Sequence, residues 1–139
     1  MMQGTTCGSK AKPFSWSING DKVLIIRDFK NMPHVQITIA LHVLDELNRY
    51  TRARSGIHLS NNVEKLYDGT ENDGIGPFLM QHAGLNSSQA QVASQVAALL
   101  CQAGIWRTNG KMRNIEFYSN TENCSSLLTA YYKKHTQSP

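Results

Sequence analysis

A mixed α+β fold is what this sequence predicts, and three observations carry that prediction. Two Asn-Gly pairs, Asn19-Gly20 and Asn109-Gly110, are each flanked by runs of strand type, and Asn-Gly favours the tight turns that join antiparallel strands. Between them, residues 35–53 and 87–103 repeat apolar side chains at the three-and-four spacing of helices. The chain has 139 residues, 40% of them hydrophobic and 17% charged, which is the size of one ordinary domain.

Taken in order, residues 1–12 are rich in Gly, Thr, Ser and Lys without periodicity and read as a flexible N-terminal arm. One domain is then expected over 13–135. It begins with a hairpin at 14–28, turning at Asn19-Gly20 between Phe14–Ile18 and the β-branched run Lys22–Arg27. Pro33 marks a boundary. A helix follows over 35–53, with Ile37, Ala40, Leu41, Leu44 and Leu47 as its apolar stripe, although Val35, Ile37, Thr38 and Ile39 could also extend a strand. Arg49, Arg52 and Arg54 gather at its end, where cations suit the helix dipole, and Gly56 is a natural stop. Residues 57–74 read as a surface loop with one helical turn at most. A short helix is expected at 75–83, a break at Gly84-Leu85, and a second helix at 87–103 capped by Asn86 or Ser87. A second hairpin spans 105–118, with Lys111–Tyr118 as its return strand. A last helix runs over 125–135.

Charge is distributed unevenly. Residues 1–60 hold eight basic and four acidic side chains, and 105–139 hold five and two. Between them, Lys65 stands alone against Glu64, Asp68, Glu71 and Asp73. The helix at 87–103 has no charge at all. Its outer arc is Ser87, Ser88, Gln91, Ser94, Gln95, Ala98 and Gln102, opposite Val92, Val96, Leu99, Leu100 and Ala103. A surface kept small, polar and neutral suits close insertion against another surface.

Short helix, turn, second helix, Gly104-Ile105 and a basic hairpin, in that order, resemble the winged-helix family of DNA-binding domains over residues 75–118. The resemblance implies a winged-helix-like domain with an added N-terminal hairpin and a C-terminal helix. It also implies sequence-specific binding of double-stranded DNA. The recognition helix would enter the major groove with Ser87, Ser88, Gln91, Ser94 and Gln95 facing bases and phosphates, while Arg107, Asn109, Lys111 and Arg113 of the wing would follow the backbone. Because that helix lacks Arg and Lys, further phosphate contacts fall to Lys10 and Lys12 of the arm and to Arg49, Arg52 and Arg54. A net charge of +4 then favours a homodimer, in which two copies double the contacts, and the expected role is transcriptional regulation.

Two other classes remain open. A protein-interaction module on the same scaffold could use Val23–Ile26 to extend a partner's sheet. RNA binding could use Trp16, Trp106 and Tyr118 for stacking. An enzyme is not expected: His34, His42, His58, His82 and His135 are scattered without metal-ligand spacing, Cys101 reads as a structural thiol and Trp106 as core. Neither a metal nor a cofactor is implied. Three unpaired cysteines and no apolar span or leader-like start give the expectation of a soluble, cytoplasmic protein without membrane contact.

Overall fold

The computed structural model describes residues 1–29, 32–70 and 73–136, so Glu71 lies outside the described residues. The architecture is mixed α+β. A four-stranded antiparallel sheet has the order β1 (Met2–Thr5), β2 (Pro13–Asn19), β3 (Lys22–Phe29), β4 (Met32–Ala40). Its alternating residues Phe14, Trp16, Val23, Ile25, Ile37 and Ile39 are buried, and the register stacks Trp16 on Ile25 and Ile25 on Ile37. Period-two alternation puts these side chains on one face, which joins the single large core.

Three expectations are corrected here. Residues 1–12 are not an arm: β1 pairs with β2, and beyond it Thr6 is buried and exchanges two hydrogen bonds with Lys12 (Thr6 N to Lys12 O 2.9 Å, Lys12 N to Thr6 Oγ1 2.8 Å). Cross-strand pairing supplied the order that local periodicity lacked. The helix expected at 35–53 begins only at Leu41, because Ile37 and Ile39 pair with Ile25 and Val23 as the last part of β4. Stiff β-branched side chains fit that pleated surface. The first turn is centred on Gly20-Asp21 rather than Asn19-Gly20, since Asn19 pairs with Lys22 and Gly20 takes the positive φ of 63°.

Helix α1 (Leu41–Arg54) buries Val43, Leu44 and Leu47 and ends in a left-handed Ser55. A two-residue strand β5 (Ile57–His58), helix α2 (Val63–Asp68) and helix α3 (Ile75–Ala83) follow. After Gly84, Asn86 and Gln89 cap each other reciprocally (Asn86 N to Gln89 Oε1 3.0 Å, Gln89 N to Asn86 Oδ1 2.8 Å). The segment then starts as a 3₁₀ turn, Gln89–Val92, before helix α4, Ala93–Gln102. Strands β6 (Trp106–Thr108) and β7 (Glu116–Ser119) complete a second antiparallel sheet of order β5-β7-β6, and α5 (Cys124–Thr136) closes the chain.

Two buried polar ties join these layers. Asn48 on α1 accepts from Trp106 Nε1 at 2.8 Å and donates to Thr121 O at 2.8 Å, and Trp16 Nε1 donates to Gln102 Oε1 at 3.1 Å. Each gives a buried indole its needed acceptor. Among the described residues, no helix is long and apolar enough to cross a membrane.

Candidate nucleic-acid interface

Helix α4 is buried almost all round. Ala93, Gln95, Val96, Ala97, Ala98, Leu99 and Leu100 are all covered, with β1, β6 and α3 packed about it. A helix enclosed on several sides needs small and neutral residues as much as a groove-inserting one does, and here enclosure is the reason for them. Gln95, expected to face bases, is 6% exposed, and its Oε1 lies 3.1 Å from Ser94 Oγ. This corrects the recognition face. Exposure survives only at its start: Ser88 is exposed, Ser87, Gln91 and Ser94 are half-buried, and Gln91 Nε2 donates to Ser88 O at 3.1 Å.

The hairpin also differs from expectation. Thr108 pairs with Phe117, so residues 109–115 form a long tip and the return strand is shorter than 111–118. The tip is stabilised by its own side chains: Asn109 Oδ1 accepts from Lys111 N at 3.2 Å, Thr108 Oγ1 accepts from Gly110 N at 3.0 Å, and Asn114 takes φ 52°. Such local bonds compete with strand pairing. Lys111 and Arg113 are exposed on this tip. Arg107 is held elsewhere, donating to Asn120 Oδ1 at 2.6 Å above the Tyr118 ring, in a hollow shared with Arg52.

Where the tip comes down over the N-terminal sheet there is a cleft of about 860 Å³. One wall is the loop joining β1 to β2, with Cys7, Ser9, Lys10 and Lys12; a second is the 58–65 segment, with His58, Ser60, Asn61, Asn62 and Lys65. The hairpin supplies Met112, Arg113 and Asn114, and Ser94 is the contribution of α4. Ser94 and Arg113, with Lys10 and Lys12, are thus the expected contact residues that the fold brings together. Lys65, His58, Asn61 and Asn62 were missed. The available signal was Lys65, a lone base in an acidic stretch.

Among the described residues, no carboxylate lines the cleft. Glu64 and Glu116 both neighbour lining residues in sequence; Glu116 is taken up by His58 Nε2 at 3.3 Å and by the Tyr118 hydroxyl, which that hydrogen bond holds above the usual phenol range. Among the described residues, Lys10, Lys12, Lys65 and Arg113 have no carboxylate within 4.0 Å. The Cys7 thiol is held down to about 7 by a hydrogen bond with Cys101, whose own thiol is pushed up by that bond and by burial; Cys124, buried, is pushed up to about 12. Among the described residues, no three of His, Cys, Asp and Glu gather as a metal set.

Two alternative readings each lose part of what motivated them, although Tyr118 is only half-buried. Strand β3, which contains Val23–Ile26, has neighbours on both sides and cannot extend a partner's sheet. Trp16 and Trp106 are 0% and 2% exposed and cannot stack on bases. Comparison with known proteins adds no relative: no family model, curated protein or solved structure matches the chain.

Proposed function

We propose that this protein binds double-stranded DNA through a winged-helix-like unit, acting as a homodimer in transcriptional regulation. The observation that carries the reading is the order α1, β5, α2, α3, α4, β6, β7, with β7 lying between β5 and β6. An exposed, basic hairpin tip that follows a helix pair supports the winged-helix reading of residues 75–118. Lys111 and Arg113 on the tip supply phosphate contacts, and the start of the second helix, with Ser88 exposed and Ser87 and Gln91 half-buried, meets the groove end-on. Buried α4 supports the helix pair and does not read bases along its length. The dimer follows from charge: +4 over the whole chain limits the phosphates that one copy can neutralise.

The test is a fluorescence-anisotropy titration of a labelled duplex across salt concentrations, with mass measured by light scattering. Binding that weakens linearly in log salt is expected, and Lys111→Ala should flatten the slope by about one unit while weakening all sequences alike. No affinity for any duplex in low salt would overturn the reading, and a monomeric mass on the duplex would remove the dimer.

A further inference from the structure

We propose that the cleft between the β1–β2 loop, the 58–65 segment and the hairpin tip seats the phosphodiester backbone of one DNA strand, making the N-terminal sheet part of the binding surface. The inference rests on the proposed duplex binding and assigns it a second contact region. Lys10 and Lys12, Lys65, and Arg113 come from three segments far apart in sequence and converge on one concavity that, among the described residues, has no lining carboxylate. Convergence of this kind focuses positive potential in a way that the same charges spread over a surface would not.

The cleft is also built before any ligand arrives. The paired bonds between Thr6 and Lys12 close the loop that presents Lys10 and Lys12. On that loop, Gly8 comes so near the tip that a Cβ there would lie 3.3 Å from Ile115 Cδ1 and 3.4 Å from Met112 O. On the opposite wall, Ser60 rests against the start of α3, where Gly76 N donates to Leu59 O at 2.9 Å. Walls fixed in advance reduce the ordering cost of binding. The neutral side chains between the cations, Ser9, Ser60 and Asn61 among them, suit phosphate oxygens, which accept hydrogen bonds from hydroxyl and amide groups. The same chemistry would also take a free oligophosphate, so the experiment must separate the two sources.

The full chain carrying Lys12→Gln, Lys65→Gln and Arg113→Gln is compared with the wild type and with Lys133→Gln/Lys134→Gln, whose lysines lie on α5 outside the cleft. Circular dichroism and melting establish that each variant is folded. All three substituted side chains are exposed, so the fold should persist. Duplex binding is titrated by anisotropy against salt, and sodium tripolyphosphate binding is measured by calorimetry. The expected result is a salt slope shallower by about 0.9 per contact removed, thus by nearly three units, in the cleft variant. The α5 variant should keep the wild-type slope. Wild-type binding with an unchanged slope in the cleft variant overturns this inference and leaves the duplex reading standing. Tripolyphosphate binding that needs the cleft, without any duplex binding, overturns both and makes the cleft a site for a small polyanion. No binding of either ligand also overturns both.

Discussion

The end of α1 and the cleft carry similar numbers of cations and differ in what those cations face. At the end of α1, the Arg54 guanidinium forks onto Asp73 (Nη2 to Oδ2 2.5 Å), with its carbon 5.0 Å above the Tyr50 ring. Arg52 lies within 3.9 Å of Glu122 and 3.5 Å of Ser119 Oγ. In the cleft, Lys10, Lys12, Lys65 and Arg113 have no carboxylate within 4.0 Å among the described residues, and Lys65 acts on Asp68 only at longer range. Two of the three arginines in the densest basic cluster are thus engaged within the fold, while scattered cations make the open positive surface. Density along the chain says little about availability, because pairing depends on what the fold brings opposite each charge.

The strongest way to break this contrast is to move a cleft wall without altering any charge. A Cβ on Gly76 would lie 2.2 Å from Ser60 O and 3.3 Å from Leu66 Cδ2. Gly76 does not have a positive φ, so the conflict is one of space. Gly76→Ala should therefore force α3 and the 58–62 segment apart, lowering stability by about 1–3 kcal/mol in urea denaturation. Duplex affinity should fall with it, since Ser60, Asn61 and Asn62 move with the wall. Wild-type affinity in a folded Gly76→Ala protein would show that the wall's position is irrelevant to binding.

A smaller effect is expected from Arg52→Gln/Arg54→Gln, which removes as much charge as two cleft substitutions. If pairing decides availability, the salt slope of duplex binding should change by less than about half a contact. Stability should fall by about 0–1 kcal/mol, the range of exposed ion pairs. A slope that drops by two units would place the end of α1 in the interface and erase the distinction.

Much of the layout was legible from local chemistry. The break at Gly84-Leu85 and the cap at Asn86 mark a helix end and a restart that need only neighbouring residues. What escaped depends on distant partners. Met2–Thr5 has no periodic signature and becomes a strand because β2 lies beside it. Ile37 and Ile39 fit either a helix or a strand, and Ile25 and Val23 decide between them. The neutral arc of α4 fits both a reading surface and an enclosed helix, and only the elements packed around Gln95 distinguish the two. Lys65 was visible as an isolated base, but its convergence with Arg113 is created by the chain's return across the sheet.

Acid titration gives the smallest and most local test of the pairing argument. The hydrogen bond from Arg54 holds the Asp73 carboxyl below the usual carboxylate range, with Tyr50 adding to the effect. A carboxyl depressed in the folded state contributes stability that is present above its unfolded pKa of about 3.9 and is lost as pH falls through the lower folded value. Wild type should therefore melt slightly above Asp73→Asn near pH 6, and the difference should vanish on acidification below the carboxylate range. The effect is small because both side chains are well solvated, at 32% and 50% exposed. Protonation of Asp73 also leaves Arg54 without its carboxylate, the condition the cleft cations already have at neutral pH. Asp73→Asn should reproduce that condition without acid, so its duplex salt slope at pH 7 should steepen if released charge alone suffices for binding and stay unchanged if the cleft's shape is required.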